Sequence, residues 1–190
     1  PDKMPSSLFE YISKNLDQRS ALELAQLNLK WTPFGRTATQ EPTRRAVKKT
    51  IARYPTAPAV RVHEHNVVFY PGGQNAVRWV REILALQTKE AVETYGEVGL
   101  PEDALPIRLH NLKQNGMTLP AEYLPETESY SYPDLEVGDW VVAEYLDPLN
   151  NEALIPSGIL SPRILFQGFD MPTVEQIFEV YAKKGPQLIW

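Results

Sequence analysis

His63 and His65 stand two residues apart in the run Val60-Arg61-Val62-His63-Glu64-His65. If that run is a strand, both imidazoles share one face and Glu64 takes the other. His110, the remaining histidine, falls in a second strand-like run. Together His63, His65 and His110 could supply three imidazoles to a divalent metal and support a metal-dependent hydrolase. Structural histidines on half-buried strands fit the same spacing more simply. No metal and no cofactor is therefore expected, and the three histidines stand as weak candidates only.

Other routes to chemistry are closed more firmly. There is no cysteine, which removes disulfides, thiolate zinc sites and thiol catalysis. Ser157 sits in Pro-Ser-Gly without the GxSxG elbow, and Gly72-Gly73 belongs to neither GxxxxGK[ST] nor GxGxxG. Glu126, Glu128, Asp134 and Glu136 lie among prolines, where a solvated loop is the default reading. No catalytic residue is assigned, and the chain reads as leaning away from an enzyme.

Charge is more informative than motif. The net charge is -5 at pH 7, but Lys30 to Lys89 carries eleven Lys or Arg against three acids, whereas Glu90 to Glu152 carries fourteen acids against two bases. The basic part is densest at Arg44, Arg45, Lys48, Lys49 and Arg53. On a helix capped by Thr43 these residues would repel at i,i+4 and would place Arg44 and Arg45 at the positive end of the helix dipole. That local misfit implies an anionic partner. Nucleic acid is one candidate, with Trp31, Phe34 and Tyr54 available for stacking, although no recognition signature accompanies them. The other candidates are the acidic segment of the same chain and that of a second copy.

The acidic part contains Tyr123, Tyr130 and Tyr132 in an extended Pro- and Glu-rich strap from 120 to 134. Tyrosines in such a strap suit an interface. Leu188, Ile189 and Trp190 make an apolar end segment suited to docking. These six residues are the expected interface.

The elements that would position these groups follow from periodicity. Capping boxes at Ser7/Glu10 and Ser20/Glu23 predict a helical arm over 1–31. A single α+β domain over 32–190 is expected to follow, with a mixed or mostly antiparallel sheet packed on a central helix. Residues 59–70 alternate as a strand pair, with a turn at Glu64 to Asn66, or as one long bent strand. Asn75 to Tyr95 shows Ala76, Val80, Ile83, Leu84, Ala91 and Tyr95 at three- and four-residue steps, which predicts that central helix, with Asn75 as its cap and Gly96 in the left-handed C′ position. Further strands are expected at 107–110, 117–119 and 138–146, with an Asn115-Gly116 turn, and a last helix from Thr173 to Gly185.

No run of about 18 apolar residues and no charged-then-apolar leader pattern occurs. The expectation is a cytoplasmic chain, or one incorporated in a virion, that makes no membrane contact. The functional expectation is a non-enzymatic structural or assembly subunit, a homo-oligomer or part of a larger assembly with head-to-tail contacts, as in virion tail or connector components. Nucleic-acid binding by the basic helix is the alternative, and the metal-dependent hydrolase comes third.

Overall fold

The computed structural model describes residues 44–72, 75–150 and 171–182. The helical arm over 1–31 and the apolar end segment therefore lie outside the described residues. Those described are mostly β, with two short helices. In chain order they are α1 (Arg44–Ile51), β1 (Ala59–Gly72), β2 (Asn75–Leu86), α2 (Lys89–Tyr95), β3 (Glu97–Gly99), β4 (Leu105–Leu112), β5 (Thr118–Pro120), β6 (Glu122–Leu124), β7 (Ser129–Ser131), β8 (Trp140–Asn150) and β9 (Gln176–Ala182).

Six strands form a mixed sheet in the order β5-β4-β8-β2-β1-β9, and β3-β7-β6 form a small antiparallel sheet. The mixed sheet agrees with the sequence reading. The central helix does not: Asn75–Leu86 is strand β2, paired antiparallel with β1 on one side and β8 on the other. A strand between two neighbours and covered on both faces has apolar residues at odd and even positions alike, which removes the period-two signal. The leftover spacing of Val80, Ile83 and Leu84 then imitates a helix. β-Branched and aromatic content, with Val77, Trp79, Val80 and Ile83 in a row of twelve residues, was the contrary signal.

The helix starts later, at α2, where the Thr88 hydroxyl caps by accepting from Ala91 N at 3.1 Å. Gly96 closes it with φ -66 rather than a left-handed value. The expected last helix is likewise strand β9, which runs parallel to β1. Its Gln-Ile-Phe-Glu-Val-Tyr-Ala sequence alternates as readily as it turns.

The core lies on both faces of the large sheet. On one face Val47 and Ile51 of α1 pack against Val62, Ile83, Ala85, Trp140 and Val142. On the other, Ala91 of α2 and Tyr132 cover Leu84, Leu86, Leu109, Val141 and Ala143, with Val98 and Tyr130 of the small sheet behind them. The two faces are called here the helix face and the small-sheet face.

Candidate functional site

Register places a line of charge across the helix face. Arg108 of β4 stands opposite Glu144 of β8, Glu144 opposite Arg81 of β2, and Arg81 opposite His65 of β1. All but Arg108 are buried, Arg81 completely. Glu144 is the hub: Arg108 Nε donates to its Oε2 at 2.7 Å and Trp79 Nε1 to its Oε1 at 3.1 Å. The line ends on β9, where Glu179 Oε2 lies 3.0 Å from His65 Nε2. One turn of the pleat away, Glu175 Oε2 lies 2.7 Å from His63 Nδ1.

Burial pushes both imidazoles below the ordinary histidine pKa, and the glutamates oppose that shift without cancelling it. The rings meet edge-on at 6.0 Å, and His65 meets Trp79 edge-on at 5.1 Å. Strand order keeps His110 apart from the other two histidines. His110 does share the row of His63, through Val142 and Ile83. That row places two whole strands between them, roughly 14 Å at the usual interstrand spacing, whereas imidazoles on one ion stand within about 4 Å of each other. Among the described residues no group of three His, Asp or Glu is arranged to hold a metal ion.

The small-sheet face carries its charge in two separate groups. A register shift between Arg61 and His63 inserts a residue, so Arg61 joins the face of Glu64 and Glu82 rather than that of the histidines. Glu64 and Glu82 are directly opposite, and Arg61 bridges them at 3.4 Å and 2.6 Å. Burial opposes the charge of Arg61, but the two carboxylates prevail and raise its pKa. Arg61, Glu82, Tyr95 and Tyr132 line a cavity of about 350 Å³ between the two sheets. Further along, Arg78 is held by Asp147.

The basic helix divides into two roles. Arg44 turns inward: its guanidinium donates to the carbonyls of Gly138 at 2.7 Å and Leu112 at 2.5 Å and lies over the Trp140 ring at 4.8 Å. Burial lowers its pKa against the pull of Asp139. Arg44 is thus a clamp joining α1 to the ends of β4 and β8, and its place in the first helical turn is explained without an external anion. Lys48, Lys49 and Arg53 are exposed, and Arg45 belongs to the same helix.

Beside α1 opens a groove of about 450 Å³ whose lining includes Arg44, Lys48, Gln114, Val137 and Trp140. Its rim is a locked turn. Lys113 Nζ is held by Asp139 at 2.7 Å and Glu136 at 2.8 Å, and Gln114 Nε2 donates to Val137 O at 2.9 Å. Gly138 at φ 92 admits the close approach, since a Cβ there would meet Gln114 Nε2 at 2.7 Å.

The expected Tyr strap is the small sheet. Tyr123 of β6 is 53% exposed, its ring 5.1 Å from that of Tyr130 of β7. Tyr132 is buried, its hydroxyl donating to Val142 O at 3.3 Å, and burial raises its pKa. Tyr132 belongs to the core, Tyr130 packs partly against it, and Tyr123 is the exposed one of the three. Glu93, Glu97, Glu122, Glu126 and Glu128 are exposed on this layer. Sequence reasoning missed the Arg108–Glu144–Arg81–His65 line because the residues come from four strands and only register unites them.

No family model matches the chain, and no curated protein matches it in sequence. Among solved structures it is similar to one described as a "putative protease" from Parabacteroides distasonis, at 15% identity and a TM-score of 0.38. The match covers 47% of this chain and 22% of that one, so the chain spans about a fifth of that protein's length. No helix among the described residues is long and apolar enough to cross a membrane.

Proposed function

We propose that the chain is a non-enzymatic interaction module that associates with copies of itself head to tail. One observation carries this reading: the exposed bases of α1 and the exposed acids of the small-sheet layer lie on opposite faces of the large sheet. Bases inside the fold, such as Arg61, Arg78 and Arg108, are each matched to an acid. Lys48, Lys49 and Arg53 are separated from the acidic layer by the thickness of the sheet, so their complement is another molecule. Unlike surfaces on opposite faces generate heterologous contacts, which close into rings or extend. The buried, carboxylate-held imidazoles of β1 fit a structural role better than a reactive one.

Light scattering on eluting protein at low and high salt tests the reading. Mass above one chain at low salt is expected, falling as the Debye length shrinks from about 10 Å at 0.1 M toward about 3 Å at 1 M. A single chain at every concentration and salt overturns it. A salt-sensitive complex with a short nucleic acid, formed by a chain that never self-associates, would assign α1 to phosphate instead.

A further inference from the structure

Three large apolar side chains are markedly exposed among the described residues: Met117 at 50%, Tyr123 at 53% and Val137 at 41%. They fall on two places. Val137 lines the groove beside α1, and Met117 belongs to the turn that begins at Lys113 and includes Gln114, another lining residue. Tyr123 stands on the far layer, paired with Tyr130 and flanked by Glu122, Glu126 and Glu128.

No acid lines the groove; Glu136 and Asp139 stand at its rim, where Lys113 holds both. Its charged lining residues are Arg44 and Lys48, its glutamines are Gln87 and Gln114, and its floor includes Trp140 and Leu86. An apolar trough with a cationic edge takes an aromatic side chain accompanied by carboxylates. The small sheet presents that combination. Tyr123 is an anchor of the sort that dominates interface energetics, with acids around it to meet Lys48.

We infer that the Tyr123 corner of one copy seats in the groove between α1 and the Lys113–Met117 turn of a second copy. This rests on the head-to-tail reading and names the two surfaces that meet. Tyr123 enters against Trp140 and Val137, and Glu122 or Glu126 faces Lys48. Because the corner and the groove sit on opposite layers, each copy offers one of each and no copy fills its own groove.

The test uses the full chain and two exposed-site variants, Tyr123→Ser in the corner and Lys48→Glu in the groove, with Met117→Ser as a second groove variant. Unchanged circular dichroism confirms that each is folded. Each variant alone is expected to weaken self-association by about tenfold. Mixing Tyr123→Ser with Lys48→Glu should restore a one-to-one pair at near wild-type affinity, since one intact corner and one intact groove remain. Folded variants that assemble like the wild type overturn the seating and leave head-to-tail association standing. Variants that fail singly and also fail when mixed overturn it too. A wild-type chain that is a monomer throughout removes the underlying reading as well.

Discussion

The two faces of the large sheet solve burial differently. The helix face runs a charged line through its middle, Arg108–Glu144–Arg81–His65, closed at the edge by Glu179. The small-sheet face keeps Leu84, Leu109, Val141 and Ala143 together and carries its charge in two separate groups, Arg61 with Glu64 and Glu82, and Arg78 with Asp147. An apolar middle stabilises through buried area and tolerates small shifts. A charged middle adds little net stability but punishes misregister, because a one-residue slip moves every charge onto the opposite, apolar layer. The lesson is a division of labour: one face supplies adhesion, and the other fixes which strand positions meet.

Breaking the charged line should have the largest effect. Glu144→Ala removes the acceptor of half-buried Arg108 and of buried Trp79 and the carboxylate in register with buried Arg81, and urea denaturation is expected to show a loss of about 3–5 kcal/mol. Converting the whole group, with Glu144→Leu, Arg81→Met and Arg108→Met together, should recover most of that loss. If it does not, the line is an adhesive element and the contrast between faces is wrong.

Leu84→Ala on the apolar face should cost about 3 kcal/mol through transfer and cavity terms. No companion substitution that merely removes a neighbour should rescue it. Recovery on trimming Val141 would erase the distinction.

The mildest test is titration. His63 and His65 have folded pKa values below the unfolded value of about 6.5, so the unfolded chain binds more protons in that window. Their contribution is therefore full above about pH 6.5 and is lost as pH falls through the folded values. Denaturation midpoints should drop on acidification, and His63→Gln with His65→Gln should flatten that slope. An unchanged slope in the double variant would show that the acid sensitivity does not arise at these imidazoles.

Legibility in the sequence followed composition and turn signals. β1 was readable as strand because Val60, Val62, Val67 and Val68 are β-branched, though one long strand could not be told from a pair. β8 was readable because Trp140 to Leu146 is compact and follows Gly138, whose φ of 92 marks the turn. The Asn115-Gly116 turn is also where expected, with Gly116 at φ 89. Asn75–Leu86 was misread because it is covered on two sides and carries charge on both. Arg78 and Glu82 look like a wet helical face until their partners Asp147 and Arg61 are known, and Arg81 until its register with Glu144 is.

The histidines illustrate the same limit. That His63 and His65 share a face was legible, but their carboxylate partners lie 112 and 114 positions away and cannot be paired from one sequence. The exposed half of the basic helix was readable as a group, whereas Arg44 was not, since its role depends on carbonyls at the ends of β4 and β8.

The parallel pairing of β9 with β1 bears on the order in which the fold is gained and lost. β1 and β2 meet through a short connection and can zip as a hairpin within microseconds. β9 must close a loop of 112 residues to bring Gln176 beside Glu64, and such closure is rewarded only once its target edge exists. The chain should therefore build its sheet outward from the hairpin and add β9 late. Transient excursions of the folded protein should begin by peeling that strand, exposing His63 and His65 to hydrogen exchange before the strands on the far side of β2 open.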